Sequence, residues 1–177
     1  MTDTTAVNNN LLHSLISQCT VVFNGVTVTQ SHKHNYCANL VTLLTYGTDA
    51  ASSHPSNSYW YLDTGDIKPC DPTAETHISA TNDGIIARWS RLSGSRHVHL
   101  FGRLHTDLCY VPLFQLPKVP LQIILTKALP SFYLMNKSAD TITTFKFLDA
   151  YLMVRRVKPN SLILSAQEMT LGDPRTV

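Results

Sequence analysis

The dipeptide Asn24-Gly25, set between the β-rich runs Thr20–Phe23 and Val26–Thr29, constrains this chain more than any other feature. A two-residue hairpin turn that keeps the right-handed strand twist needs positive φ at both central residues. Asn followed by Gly meets that need at low steric cost. The turn predicts Phe23 opposite Val26, Val22 opposite Thr27 and Val21 opposite Val28. Alternation then places Val21, Phe23, Val26 and Val28 on one face, with Thr20, Val22, Thr27 and Thr29 on the other. One face looks inward, so a second layer must cover it.

The following segment changes period. Tyr36, Leu40, Leu43 and Leu44 recur at helical spacing, between Asn35, which can cap a helix, and Gly47, which suits a left-handed stop. A Ser-rich loop is expected over residues 48–58, a short strand over Tyr59–Leu62 and a turn at Asp63–Asp66. A long surface excursion is expected from there to Asp83, with Pro69 and Pro72, then a short helix over about 82–92. Three further strands are predicted at 96–104, 119–127 and 145–158. In the last, Leu148, Ala150, Leu152 and Val154 share one face while Phe145, Phe147, Tyr151 and Met153 share the other. A strand apolar on both sides must be covered on both sides, by a second layer or by another molecule. Leu162–Met169 begins a helix. Many short strands with turn signals and few helices predict an all-β jelly-roll sandwich with one or two short helices in its connections.

At 177 residues, 44% of them hydrophobic, the chain suits one domain with a real core. The expected organisation is an unstructured segment over 1–10, one incomplete jelly roll over 11–160, and a tail over 161–177 that is helical at its start. No apolar run approaches the ~20 residues that cross a bilayer. The start has no basic residues followed by an apolar stretch, so a secretory signal is not expected, Asn136-Lys137-Ser138 reads as an ordinary loop, and an intracellular location follows. Cys19, Cys37, Cys70 and Cys109 form no CxxC pair, which removes zinc knuckles and thioredoxin-type motifs and leaves reduced thiols as the default. Charge is uneven, with net −5 over residues 1–85 and net +7 over 86–177. Such a split suits head-to-tail association or an acidic partner and is too diffuse for a specific nucleic-acid site.

Candidate chemistry is sparse. His97 and His99 project from one face of a predicted strand, as in the metal-binding cupins. A third ligand is wanted, however, and the only glutamates, Glu75 and Glu168, are distant, while Arg103 beside His105 is a poor neighbour for a cation. His32 and His34 sit in a polar loop. His105 and Cys109 have the spacing of a base and a nucleophile but no orienting group or oxyanion hole nearby. Asp63 and Asp66 are explained by turn formation. Arg155, Arg156 and Lys158 split across a strand's two faces and read as a solvated strand end. No P-loop, GxSxG or GxGxxG occurs. The expectation is a protein with no catalytic, cofactor-binding or metal-binding residues and no cofactor.

Several stretches together resemble one family. They are Leu11-Leu-His-Ser-Leu-Ile-Ser-Gln-Cys19, Phe23-Asn-Gly-Val-Thr-Val28, Leu43-Leu-Thr-Tyr-Gly47, Phe101-Gly-Arg-Leu-His-Thr-Asp-Leu108, Pro130-Ser-Phe-Tyr-Leu134 and Phe147-Leu-Asp-Ala-Tyr-Leu152. In their order, over residues 8–168, the chain resembles the major capsid protein of Polinton (Maverick) elements and adintovirus-like viruses. It departs from that pattern at Ile16, where the family prefers an aromatic, and over Tyr36–Thr42. The resemblance implies a double jelly roll in trimeric capsomers, of which this chain would cover most of the first jelly roll as a truncated, transposable element-derived copy. Its partners would be other copies of itself and minor capsid proteins, and its place the virion capsid. The alternative is a lone jelly roll that holds a carbohydrate or peptide with its loops over 48–58 and 63–83, a role that Tyr59, Trp60 and Tyr61 exposed and stacked in a shallow groove would favour.

Overall fold

Asn24 and Gly25 adopt φ of 46° and 80°, so both turn residues occupy the left-handed region that the hairpin requires. The structure is a computed structural model that describes residues 5–51, 53–64, 82–94, 96–115, 117–136 and 143–172. It divides into two compact units, Met1–Phe145 and Lys146–Val177. The first unit begins with β1 (Thr5–Val7), α1 (Leu11–Ser14), β2 (Ile16–Phe23), β3 (Val26–Ser31) and α2 (His34–Thr45). It continues with α3 (Thr48–Ala51), a 3-10 helix (His54–Ser58), α4 (Asp83–Leu92), α5 (Asp107–Tyr110), β4 (Leu121–Lys127), α6 (Pro130–Tyr133) and β5 (Leu134–Asn136). The second unit holds α7 (Ser161–Gly172).

The described strands form two small antiparallel sheets, β3-β2-β4 and β1-β5. With helices interleaved along the whole chain, the fold is mixed α/β, and the expected all-β jelly-roll sandwich is overturned. The reason is visible in two segments. Residues 96–104 and 145–158, both predicted as strands, join no ladder among the described residues. Alternation does bring Val98, Leu100 and Phe145 against the core of the first unit. A strand, however, also needs a neighbour to satisfy its backbone, and segment 96–104 reaches instead for the 3-10 helix, with Phe101 N donating to Asn57 O at 3.0 Å. The excursion expected after Asp66 lies outside the described residues.

The predicted hairpin pairs Phe23 with Val26 and Val22 with Thr27 as expected. Beyond them a bulge sets Val21 opposite Thr29 instead of Val28. An inserted residue increases local twist and releases its side chain from the shared face, and Val26 and Val28 are exposed rather than inward. The strand expected over 119–127 forms as β4 and pairs along the other edge of β2, with Pro120 just ahead of the ladder where its missing N–H costs nothing.

Helix α4 starts where predicted because Asn82 Oδ1 accepts from Ile85 N at 3.1 Å. Helix α2 also forms, but it opens at His34 rather than Asn35, and Gly47 supplies no left-handed stop. Instead Tyr46 turns extended at φ −103°. Tyr59–Leu62 forms no strand: Tyr59 takes φ 61° to close the 3-10 helix, and Asn9 bonds both backbone groups of Tyr61. The Ser-rich loop contains α3 and that 3-10 helix. Thr5–Val7, inside the segment expected to be unstructured, is the buried strand β1, paired to β5.

The core of the first unit gathers Val7, Leu11, Leu15, Tyr59, Leu92, Ala128, Tyr133 and Leu134. Burying a large side chain of this kind contributes ~1.5–3 kcal/mol. In the second unit, residues 146–160 have no regular secondary structure, and Phe147, Leu148, Tyr151, Leu152, Met153 and Val154 are exposed. Asn160 caps α7 through Leu162 N.

Candidate functional site

Three histidines from separate segments meet at the base of α1. His13 lies on α1, His34 opens α2 and His105 ends the extended 96–105 segment. Their ring centroids lie 5.7 Å apart for His13–His34 and 4.7 Å for His13–His105. Local structure explains the meeting. Asn10, in the left-handed region, starts α1, and its Nδ2 donates to Thr42 Oγ1 at 3.3 Å, which ties α1 to α2. Helix α2 buries the stripe His34, Ala38 and Thr42 against this junction. Segment 96–105 passes over it at Gly102, where a Cβ would stand 2.8 Å from Leu12 Cδ2 and 3.5 Å from His13 Nε2. A side chain at this position would have to displace the end of Leu12.

The cluster is electrostatically unsupported. His13 and His34 are buried, and His13 Nδ1 and both nitrogens of His34 have no hydrogen-bond partner among the described residues. Burial, reinforced by the neighbouring imidazoles, pushes His13 down to about 3 and His34 down to about 4. Burial and the Arg103 guanidinium lower His105 as well. His105 pairs with the Tyr110 hydroxyl, and Arg103 lies over the Tyr110 ring with 4.3 Å to its centroid. Beside the cluster is a cavity of about 250 Å³ lined by residues that include His13, Tyr46, His54, Phe101, Arg103 and His105. At neutral pH all three rings are therefore uncharged. No group of three His, Cys, Asp or Glu among the described residues is arranged to hold a metal ion.

A second buried polar feature is the Arg88 guanidinium, 2% exposed on α4. Its Nη2 meets Asp63 Oδ1 at 2.9 Å, and Nε donates to Val7 O at 3.1 Å. Burial lowers its pKa, opposed by the Asp63 carboxylate. This pair fastens α4 to β1 and to the chain before the excursion. It is structural.

The residues singled out in the sequence scatter. His97 and His99 are both exposed, and His32 is exposed while His34 is buried. Cys109 Sγ accepts from Thr106 Oγ1 at 3.2 Å and His105 turns to Tyr110, so the two do not form a base–nucleophile couple. Tyr59 and Trp60 are buried and offer no stacking groove. Arg155, Arg156 and Lys158 are exposed on the irregular part of the second unit. The trihistidine cluster escaped sequence reasoning because its members are far apart along the chain. The one local hint is His13 within Leu11-Leu-His-Ser-Leu15, a polar ring inside an apolar run.

Compared with models of known protein families, with curated proteins and with solved structures, the chain matches none.

Proposed function

We propose that this chain is a structural protein that works by self-association, in the shell-building role of the capsid proteins it resembles. The observation that carries the reading is the orientation of α2. Its buried stripe is small and polar, while Tyr36, Leu40, Leu43 and Leu44, the side chains at i, i+4, i+7 and i+8, face outward, with Leu44 85% exposed. A contiguous apolar helix face turned to water marks a contact surface. The charge split between the two halves of the sequence suits orienting such contacts. The competing role as a carbohydrate- or peptide-binding module loses its support with the burial of Tyr59 and Trp60. No helix among the described residues is long and apolar enough to cross a membrane. The placement in a virion shell rests on the sequence resemblance.

The test is sedimentation velocity over a hundredfold concentration range. The wild-type chain should sediment as concentration-dependent oligomers. The Leu40→Lys, Leu44→Lys double variant should remain monomeric with an unchanged circular dichroism spectrum. A wild-type chain that stays monomeric throughout overturns the reading.

A further inference from the structure

We propose that His13, His34 and His105 form an acid-release clasp, which holds α1, the first turn of α2 and segment 96–110 together at neutral pH and lets them separate on acidification. The clasp does not require the self-association reading, since His34 belongs to the buried stripe of α2 and the side chains that carry that reading lie on its exposed side. Two geometric facts carry it. The His13 ring packs against both of the others, and three nitrogens of His13 and His34 are buried without partners among the described residues, so neither ring can take a proton without placing a cation beside another imidazole. The adjoining cavity gives water a route to His13 and His105 once the contact loosens.

The surrounding groups offer no compensation. Helix α2 brings His34, with the exposed Lys33 just ahead of it and Tyr46 just past its end. The 3-10 helix brings His54, packed edge-on to Tyr46. Segment 96–105 brings Arg103, and α5 brings Cys109, Tyr110 and the exposed Asp107. Strand β2 adds the Cys19 thiol, which burial and Cys109 hold protonated. Among the described residues, no carboxylate is among the groups that act on the three rings. The folded-state values lie below those of the open chain, so stability is full above the open-state value near 6.5 and falls as pH drops below it. The fall continues toward about 4 for His34 and about 3 for His13. Each ring kept neutral shifts the opening equilibrium about tenfold per pH unit below 6.5, so two rings give on the order of 10³ at pH 5.

Hydrogen exchange of the full chain, followed by mass spectrometry from pH 7.5 to 5.0 and corrected for the intrinsic exchange rate, tests this at concentrations low enough for a monomer. Peptides covering 11–15, 34–45 and 96–110 should lose protection by more than tenfold before those of the β2–β3–β4 sheet. His34→Leu, which leaves His13 in place, should lose protection with about half the wild-type acid slope, and His105→Gln should reduce the loss. Uniform loss across the unit, no loss, or the same acid slope in both variants and the wild type overturns the clasp. Should His34→Leu fail to fold, the order of loss in the wild type and the His105→Gln slope decide it.

Discussion

Removing the Asp63 carboxylate would leave the Arg88 guanidinium buried with one carbonyl acceptor and no counter-charge. Breaking a fully buried pair in this way costs about 3–5 kcal/mol. Asp63 keeps 28% of its side chain in water, so Asp63→Ala should cost about 2 kcal/mol, read as a lower urea midpoint. Arg88→Met removes the buried charge itself and fills similar volume, so its cost should be the smaller of the two. If Arg88→Met proves the more damaging, the bond to Val7 O outweighs the ion pair. Gly84 supplies a second check at the same spot. A Cβ there would lie 2.6 Å from Asp63 Oδ1 and 2.8 Å from the Leu62 carbonyl, and the latter is backbone that cannot swing aside. Alanine normally gains up to ~1 kcal/mol over glycine inside a helix. Here Gly84→Ala should instead destabilise by about 1–3 kcal/mol in thermal unfolding, because the overpacking dominates. The sequence places Asp63 in a turn and marks no role for Arg88. Arg88 falls on the stripe of Gly84, Ile85 and Leu92, and that position is the signal it offered.

Among the elements, those with local causes were legible and those that depend on distant partners were not. The hairpin turn is set by φ at two adjacent residues, and the start of α4 by one side-chain bond three residues long, so both could be read directly. Gly25→Ala, at φ 80°, should cost about 1 kcal/mol in chemical denaturation, because the strain falls on the folded turn. The bulge beyond Val21 was invisible, since perfect alternation through Val28 looks the same with or without an inserted residue. Segment 96–104 alternates well, and Val98 and Leu100 do pack inward, but alternation reports polarity and not whether a neighbouring strand exists. Helix α2 was legible as a helix while the side it buries was not. Its polar stripe is drawn inward by Asn10 and the histidine junction, groups brought there by other parts of the chain. The candidate site was hidden for the same reason: no spacing rule connects His13, His34 and His105.

At the scale of the whole molecule, the division at Phe145 separates a unit with a defined core from one whose apolar side chains largely face outward. Arg155, Arg156 and Lys158 lie exposed on irregular backbone, whereas Arg88 is buried in a helix. Brief trypsin treatment should therefore cut at residues 155–158 before it cuts at Arg88, as intact mass would register. Early cleavage at Arg88 would mean that α4 opens readily. The three-stranded sheet carries a further consequence. No described strand pairs the outer edge of β4, where Ile124 and Leu125 are exposed between Pro120 and Lys127. Such an edge is a template on which like segments can stack, a process that the proline and the lysine at its ends discourage. In a crowded preparation the dye-binding signal of cross-β growth should therefore rise when Lys127 is neutralised.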